Sequence, residues 1–116
     1  MIDLQKKNNI FVLTFNGEQN LWNTEFVRVI AQVIDEIEAS QGAAALVTTA
    51  SSQKFFSNGL DLAWRETAEA EDRAAFIPEF MALMGRIITL PIPSICAING
   101  HAFGAGFMMA LCHDVR

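Results

Sequence analysis

The spacing of apolar residues changes several times along the chain, and each change marks an element. Residues 2–6, with Ile2 and Leu4 alternating with polar residues, and the largely apolar residues 10–15 lie on either side of Asn8-Asn9, which predicts two strands and a turn. Asn16-Gly17-Glu18-Gln19-Asn20 has loop composition. Phe26, Ile30, Val33, Ile34 and Ile37 then recur at helical spacing. Asn23 is the expected N-cap, Glu25 suits the positive end of the helix dipole, and Gly42 is the expected stop. Residues 43–49 form a short run of small and β-branched residues, read as a buried parallel strand because a long helix precedes it.

A second helix is expected over 77–89, with Phe80, Leu83, Met84, Ile87 and Ile88 on its apolar face and Pro78 in its first turn. The acidic run Glu69-Ala70-Glu71-Asp72 before it reads as a solvated face or loop. Leu90-Pro91-Ile92-Pro93 ends that helix, residues 94–99 form another buried strand, and a last apolar helix covers 105–112. Asp114-Val115-Arg116 resembles the start of a further strand. The order ββαβαβα predicts an α/β fold with crossover helices. Met81, Met84, Met108 and Met109 are expected in the core, and Met108 and Met109 could alternatively line a pocket for an acyl chain.

Composition narrows the function. The chain has 116 residues, 52% hydrophobic and 18% charged, a globular balance with more apolar surface than so small a body is expected to cover alone. With 13 acidic and 8 basic residues the net charge is −5, and no basic cluster is present to neutralise nucleic-acid phosphates. Cys96 and Cys112 sit in apolar segments without metal-ligand spacing, so both read as reduced core thiols and no metal is expected. No signal peptide is expected, and the apolar run 103–112 is too short to span a bilayer.

One piece of grammar occurs twice: a buried strand ends, a glycine-bearing turn follows and a helix starts. The first instance is Gly59-Leu60-Asp61 and the second is Gly104-Ala105-Gly106. Such turns present backbone N–H groups without helical partners, and glycine lets a ligand approach them. Facing each other, the two turns would make a two-donor oxyanion hole. The alternative is two ordinary connections with glycine for packing. Neither turn matches a dinucleotide or Walker phosphate loop. His101 and His113 are expected to be satisfied structural residues, and a triad of Ser57, His101 and Asp61 lacks a nucleophile elbow. Lys54 and Arg65 bracket the first turn and are the nearest bases in sequence to an anionic ligand there.

Two strings carry a family resemblance. Residues 54–62, Lys-Phe-Phe-Ser-Asn-Gly-Leu-Asp-Leu, resemble the first signature of the enoyl-CoA hydratase/isomerase (crotonase) superfamily. Residues 90–106, from Leu90-Pro91-Ile92-Pro93 through Asn99-Gly100-His101 to Gly104-Ala105-Gly106, resemble the second, in the family's order. The resemblance implies a crotonase-like (ClpP/crotonase) α/β spiral of ββα units, of which residues 1–116 form the N-terminal part, truncated before the C-terminal half. It implies an acyl-CoA thioester as partner, with CoA belonging to the substrate and no separate cofactor, and a homotrimer in full-length form. By position it places the oxyanion donors on the backbone N–H groups of Leu60 and Ala105. Ser57, Asn58, Gly59, Asp61, Gly104 and Met108 would border the substrate.

Within the superfamily, the first hydratase glutamate falls at Met108, which has no acid–base chemistry. The sequence therefore looks most like the plant and fungal peroxisomal Δ3,Δ2-enoyl-CoA isomerases of fatty-acid β-oxidation, with the peroxisome as expected compartment and the cytoplasm as alternative. The isomerase glutamate would lie beyond Arg116, so the 116 residues alone are expected to be inactive and poorly stable. The alternatives are a hydratase or thioester hydrolase on the same scaffold, or a non-catalytic remnant. A lysine that helps bind the CoA phosphates in many hydratases is here Ala63, and residues 20–23 also lack a base.

Overall fold

A computed structural model describes residues 1–116. Strands β1 (Ile2–Lys7) and β2 (Ile10–Phe15) pair antiparallel from Ile2 opposite Phe15 to Lys7 opposite Ile10. The turn between them works because Asn8 takes φ 57°, a left-handed conformation that asparagine tolerates. Helix α1 (Thr24–Ala39) then crosses over to β3 (Ala45–Ala50), which lies parallel to β2. Its N-cap is Asn23, whose side chain accepts from the Phe26 N–H at 2.8 Å. The helix ends at Ser40, before Gly42 takes φ 87°.

After β3 the chain forms β4 (Phe55–Ser57), α2 (Leu62–Thr67), α3 (Ala70–Ile88), β5 (Ser94–Cys96), β6 (His101–Ala102) and α4 (Ala105–Leu111). The main sheet has the order β1-β2-β3-β5, and β4 and β6 make a separate parallel pair. Helices α1 and α3 pack together, burying Phe26, Ile30, Ile34 and Ile37 from one and Phe76, Phe80, Leu83 and Ile87 from the other. No helix is long and apolar enough to cross a membrane.

Several sequence expectations change. The second long helix begins at Ala70, not near 77, so Pro78 lies inside it and Glu71-Asp72 form its first turn. The acids favour the positive end of the helix dipole. Thr24 Oγ donates to the Asp72 carbonyl at 2.6 Å, tying that turn to α1. Pro78 removes one helical N–H, but Ala74, whose carbonyl loses its partner, is exposed to water. Arg28 also bridges α1 to Glu79 through two 2.9 Å contacts, holding the Glu79 carboxyl below its usual range by hydrogen bonding. Met84 and Met109 are buried, whereas Met81 and Met108 are 53% and 43% exposed, so only half of the expected methionine core forms. The strand expected over 94–99 stops at Cys96, and the Asn99 amide donates to the Ala50 carbonyl at 2.6 Å instead. Val115 bridges Ile95 in parallel, consistent with the strand start read at residues 114–116.

His113 is buried in the interior, while His101 is exposed and stacks on Phe103, so the structural reading of the histidines holds for one of them. The carbonyl of Met109 can only accept, so His113 Nδ1–H donates to it at 2.9 Å and Nε2 accepts from the Thr48 hydroxyl at 2.8 Å. Burial holds the imidazole below its ordinary value of 6.5 and favours the neutral ring. The unfolded chain then binds a proton that the folded chain refuses. His113's contribution to stability should be complete above pH 6.5 and decline as pH falls through the lower folded value. Urea midpoints from pH 8 to 5 should fall less steeply in His113→Gln than in the parent; equal slopes would remove His113 from the account. The Cys96 thiol is pushed up to about 12 by burial and stays protonated at neutral pH.

Candidate active site

The two glycine turns meet. Strands β4 and β6 lie side by side, with the His101 N–H donating to the Lys54 carbonyl at 2.9 Å and the Phe103 N–H to the Ser57 carbonyl at 3.0 Å. This places Gly59 against Gly104: a Cβ on Gly59 would sit 3.2 Å from the Phe103 carbonyl oxygen and 3.9 Å from Gly104 Cα. Both residues take positive φ, 89° and 48°, where side chains are strained. Gly106 is tighter still. A Cβ there would fall 2.4 Å from Ser57 Cβ and 2.8 Å from the Ser57 carbonyl oxygen. Gly106→Ala should therefore push α4 off β4 and destabilise the protein by about 1–3 kcal/mol, read as a lower urea midpoint.

The residue after each glycine carries the candidate chemistry. The N–H groups of Leu60 and Ala105 have no acceptor in the protein, although their neighbours do: Asn58 donates to Gln19, Asp61 to Trp22 and Gly106 to Phe103. Ala105 is the first residue of α4, a position that leaves its N–H without a helical partner. Leu60 is held differently. The backbone on each side of it pairs with Trp22, whose N–H donates to the Gly59 carbonyl at 2.8 Å and whose carbonyl accepts from Asp61 at 2.9 Å. The strand-like pairing leaves the intervening N–H pointing away from Trp22.

The clamp on the first turn is the segment 19–22, which sequence reasoning passed over as a loop without a base. Asn20, at φ 53°, is buried, and its amide donates to the Phe56 carbonyl at 2.9 Å. Its Oδ1 accepts from the Gly17 N–H at 2.8 Å. Trp22 is fully buried and donates its indole N–H to Ser57 Oγ at 3.1 Å. Ser57 Oγ donates in turn to the Asn20 carbonyl at 2.7 Å. The only sequence signal for this clamp was a tryptophan and an asparagine in a glycine-bearing loop.

The other predicted site residues divide by what their side chains do. Ser57 is fully buried and committed to Asn20 and Trp22, so its hydroxyl supports the turn from behind. Asp61 is the N-cap of α2, accepting from the Trp64 N–H at 3.0 Å. Asn58 donates its amide to the Gln19 side chain at 2.8 Å and remains partly open. Met108 lies exposed on α4, three positions along the helix from Ala105. Ser57, His101 and Asp61 share no hydrogen bond, which leaves the triad reading without geometry.

Fixed N–H donors without acceptors on two packed turns suit a developing oxyanion better than a neutral carbonyl, because they need no reorganisation as charge builds. Comparison with known proteins gives the family. The enoyl-CoA hydratase/isomerase family profile matches residues 5–116. The peroxisomal enoyl-CoA delta isomerase 2 of Arabidopsis thaliana is 32% identical over 98% of this chain and 50% of its own length. A solved enoyl-CoA hydratase/carnithine racemase from Magnetospirillum magneticum superposes with a TM-score of 0.88 at 27% identity, covering 99% of this chain and 45% of that one. A Geobacillus kaustophilus protein described as an enoyl-CoA hydratase shares the fold, with a TM-score of 0.91 at 24% identity over 99% of this chain and 44% of its own. The chain spans about half the length of the curated relatives it matches. With crotonase-fold neighbours over its whole length and a family match over all but its first few residues, the chain belongs to the enoyl-CoA hydratase/isomerase family.

Proposed function

We propose that these residues supply the oxyanion-binding half of a Δ3,Δ2-enoyl-CoA isomerase. The observation that carries the proposal is the pair of acceptor-free N–H groups, Leu60 and Ala105, on turns packed glycine to glycine. The thioester carbonyl of a 3-enoyl-CoA would sit between them. Removing a proton from C2 moves negative charge onto that oxygen, and returning the proton at C4 leaves the double bond at C2. The two donors stabilise the enolate more than the ground state, which lowers the barrier.

The choice of isomerase rests on Met108, which offers no carboxylate at the position of the first hydratase glutamate, and on the Arabidopsis relatives named enoyl-CoA delta isomerases. Asp61 is engaged as a helix cap, and the resemblance to the family implies that the carboxylate that moves the proton lies in the half of the domain that residues 1–116 do not cover. CoA enters as part of the substrate. A peroxisomal location and a homotrimer belong to the same reading.

The test is absorbance of the conjugated thioester formed from a 3-enoyl-CoA. Residues 1–116 alone should give none, and a polypeptide joining them to the second half of the domain should give conjugated product. Faster hydration of crotonyl-CoA would replace the proposal with a hydratase, and release of free CoA with a hydrolase. Turnover by residues 1–116 alone would overturn the assignment of the base.

A further inference from the structure

Leu60 borders two recesses. One contains Asn58 and Asp61 and has no basic residue. The other, a cavity of about 280 Å³, is lined by Leu60, Trp64, Arg65, Arg73, Phe76 and Ile77. Four of these are apolar, and the Trp64 and Phe76 rings stand 5.8 Å apart, tilted. This wall suits methylene groups.

Of the five arginines, only two pair with carboxylates. Arg28 pairs with Asp72 and Glu79, and Arg86 with Asp35 and Glu38. Arg65 and Arg73 have no carboxylate partner, although acids outnumber bases 13 to 8. Arg73 instead donates to the backbone carbonyl of Arg65 at 3.2 Å, which brings the second arginine onto the end of α2 that carries the first. Like charges placed together at an apolar recess repel one another until an anion joins them.

On the reading that Leu60 N–H holds a thioester carbonyl, we propose that this recess receives the acyl chain and that Arg65 and Arg73 bind a carboxylate at its far end. The preferred substrates are then acyl thioesters of dicarboxylic acids. The apolar wall takes the methylenes, and guanidinium groups recognise a planar carboxylate through paired N–H donors. A phosphate of CoA is the competing anion. It is strongly hydrated and gains nothing from the apolar wall, which favours the acyl carboxylate as occupant.

Tryptophan emission reads occupancy, because Trp64 lines the recess and Trp22, the other of two tryptophans, is sealed in the core. Adipoyl and hexanoyl thioesters would be titrated both as CoA esters and as N-acetylcysteamine esters, which carry no phosphate. Adipoyl should bind about fivefold tighter than hexanoyl in both series, the upper range for a solvent-exposed ion pair. Arg65→Gln with Arg73→Gln should abolish that preference and leave hexanoyl binding unchanged. Equal binding of the two acids, or a preference that survives the double substitution, overturns the inference and leaves the oxyanion reading intact. Substitution that weakens both CoA esters alike and neither cysteamine ester assigns the arginines to phosphate and also overturns it. If no thioester of either series binds, the oxyanion reading fails and the inference falls with it.

Discussion

Replacing Ala105 by proline should cut kcat for isomerisation by about 10²–10³ while leaving the fold intact. The substitution removes one N–H and little else. Ala105 is the first residue of α4, where proline is well tolerated because its fixed φ suits the helix and the missing N–H has no helical partner. No acceptor in the protein loses a hydrogen bond. The loss corresponds to about 3–4 kcal/mol of transition-state stabilisation, the usual contribution of one oxyanion donor. Because the donor acts mainly on developing charge, kcat should fall far more than KM rises. Ala105→Gly keeps the N–H and should stay within about tenfold of the parent in kcat. The assay belongs in a catalytically active polypeptide that contains these residues. A proline variant with the parent's kcat would remove Ala105 from the chemistry.

The second large effect concerns the clamp. Trp22→Ala should destabilise the protein by about 3–5 kcal/mol, a large share of the stability of a small domain. The ring is fully buried and meets Phe26 and Phe80 edge-on, with centroids 4.7 Å and 5.2 Å away. Its removal leaves a cavity between α1, α3 and the first turn. Trp22→Phe should recover most of that packing, and the lost indole hydrogen bond should cost about 1 kcal/mol, since Ser57 Oγ still donates to Asn20. Urea unfolding measures both. If Trp22→Ala shifts the midpoint no more than Trp22→Phe, ring packing is not what stabilises this region. Thioester binding should weaken in the alanine variant even under conditions where it stays folded, because Trp22 also sets the backbone on both sides of Leu60.

Local patterns in the sequence account for a good deal of this. The helical spacing from Phe26 to Ile37 gave α1 with its Asn23 cap, since both depend on residues a few positions apart. The second helix is expected to start near 77 because Pro78 suits a first turn and the acidic run before it reads as a solvated face or loop, whereas it starts at Ala70. What overrode them was packing of Phe76 and Phe80 on α1 and the Thr24 bond to Asp72, contacts that span about 50 residues of chain. Met81 and Met108 carried helical spacing without burial, because spacing marks a face and not what covers it.

The site divides along the same line. From the sequence alone came the two glycine turns, the strand-to-helix context of each, and the resemblance that singled out Leu60 and Ala105. The turns are legible because of glycine's access to positive φ and the free N–H groups expected where a helix starts, and the two donors because of the family resemblance. Tertiary structure alone decided that the turns touch, that Ser57 and Asp61 are engaged in support, and that Asn20 and Trp22 hold the first turn from 35 or more residues away. The physical reason is that a hydrogen bond is a property of two groups. The sequence shows which groups can donate, but only the folded chain determines which of them are left without an acceptor.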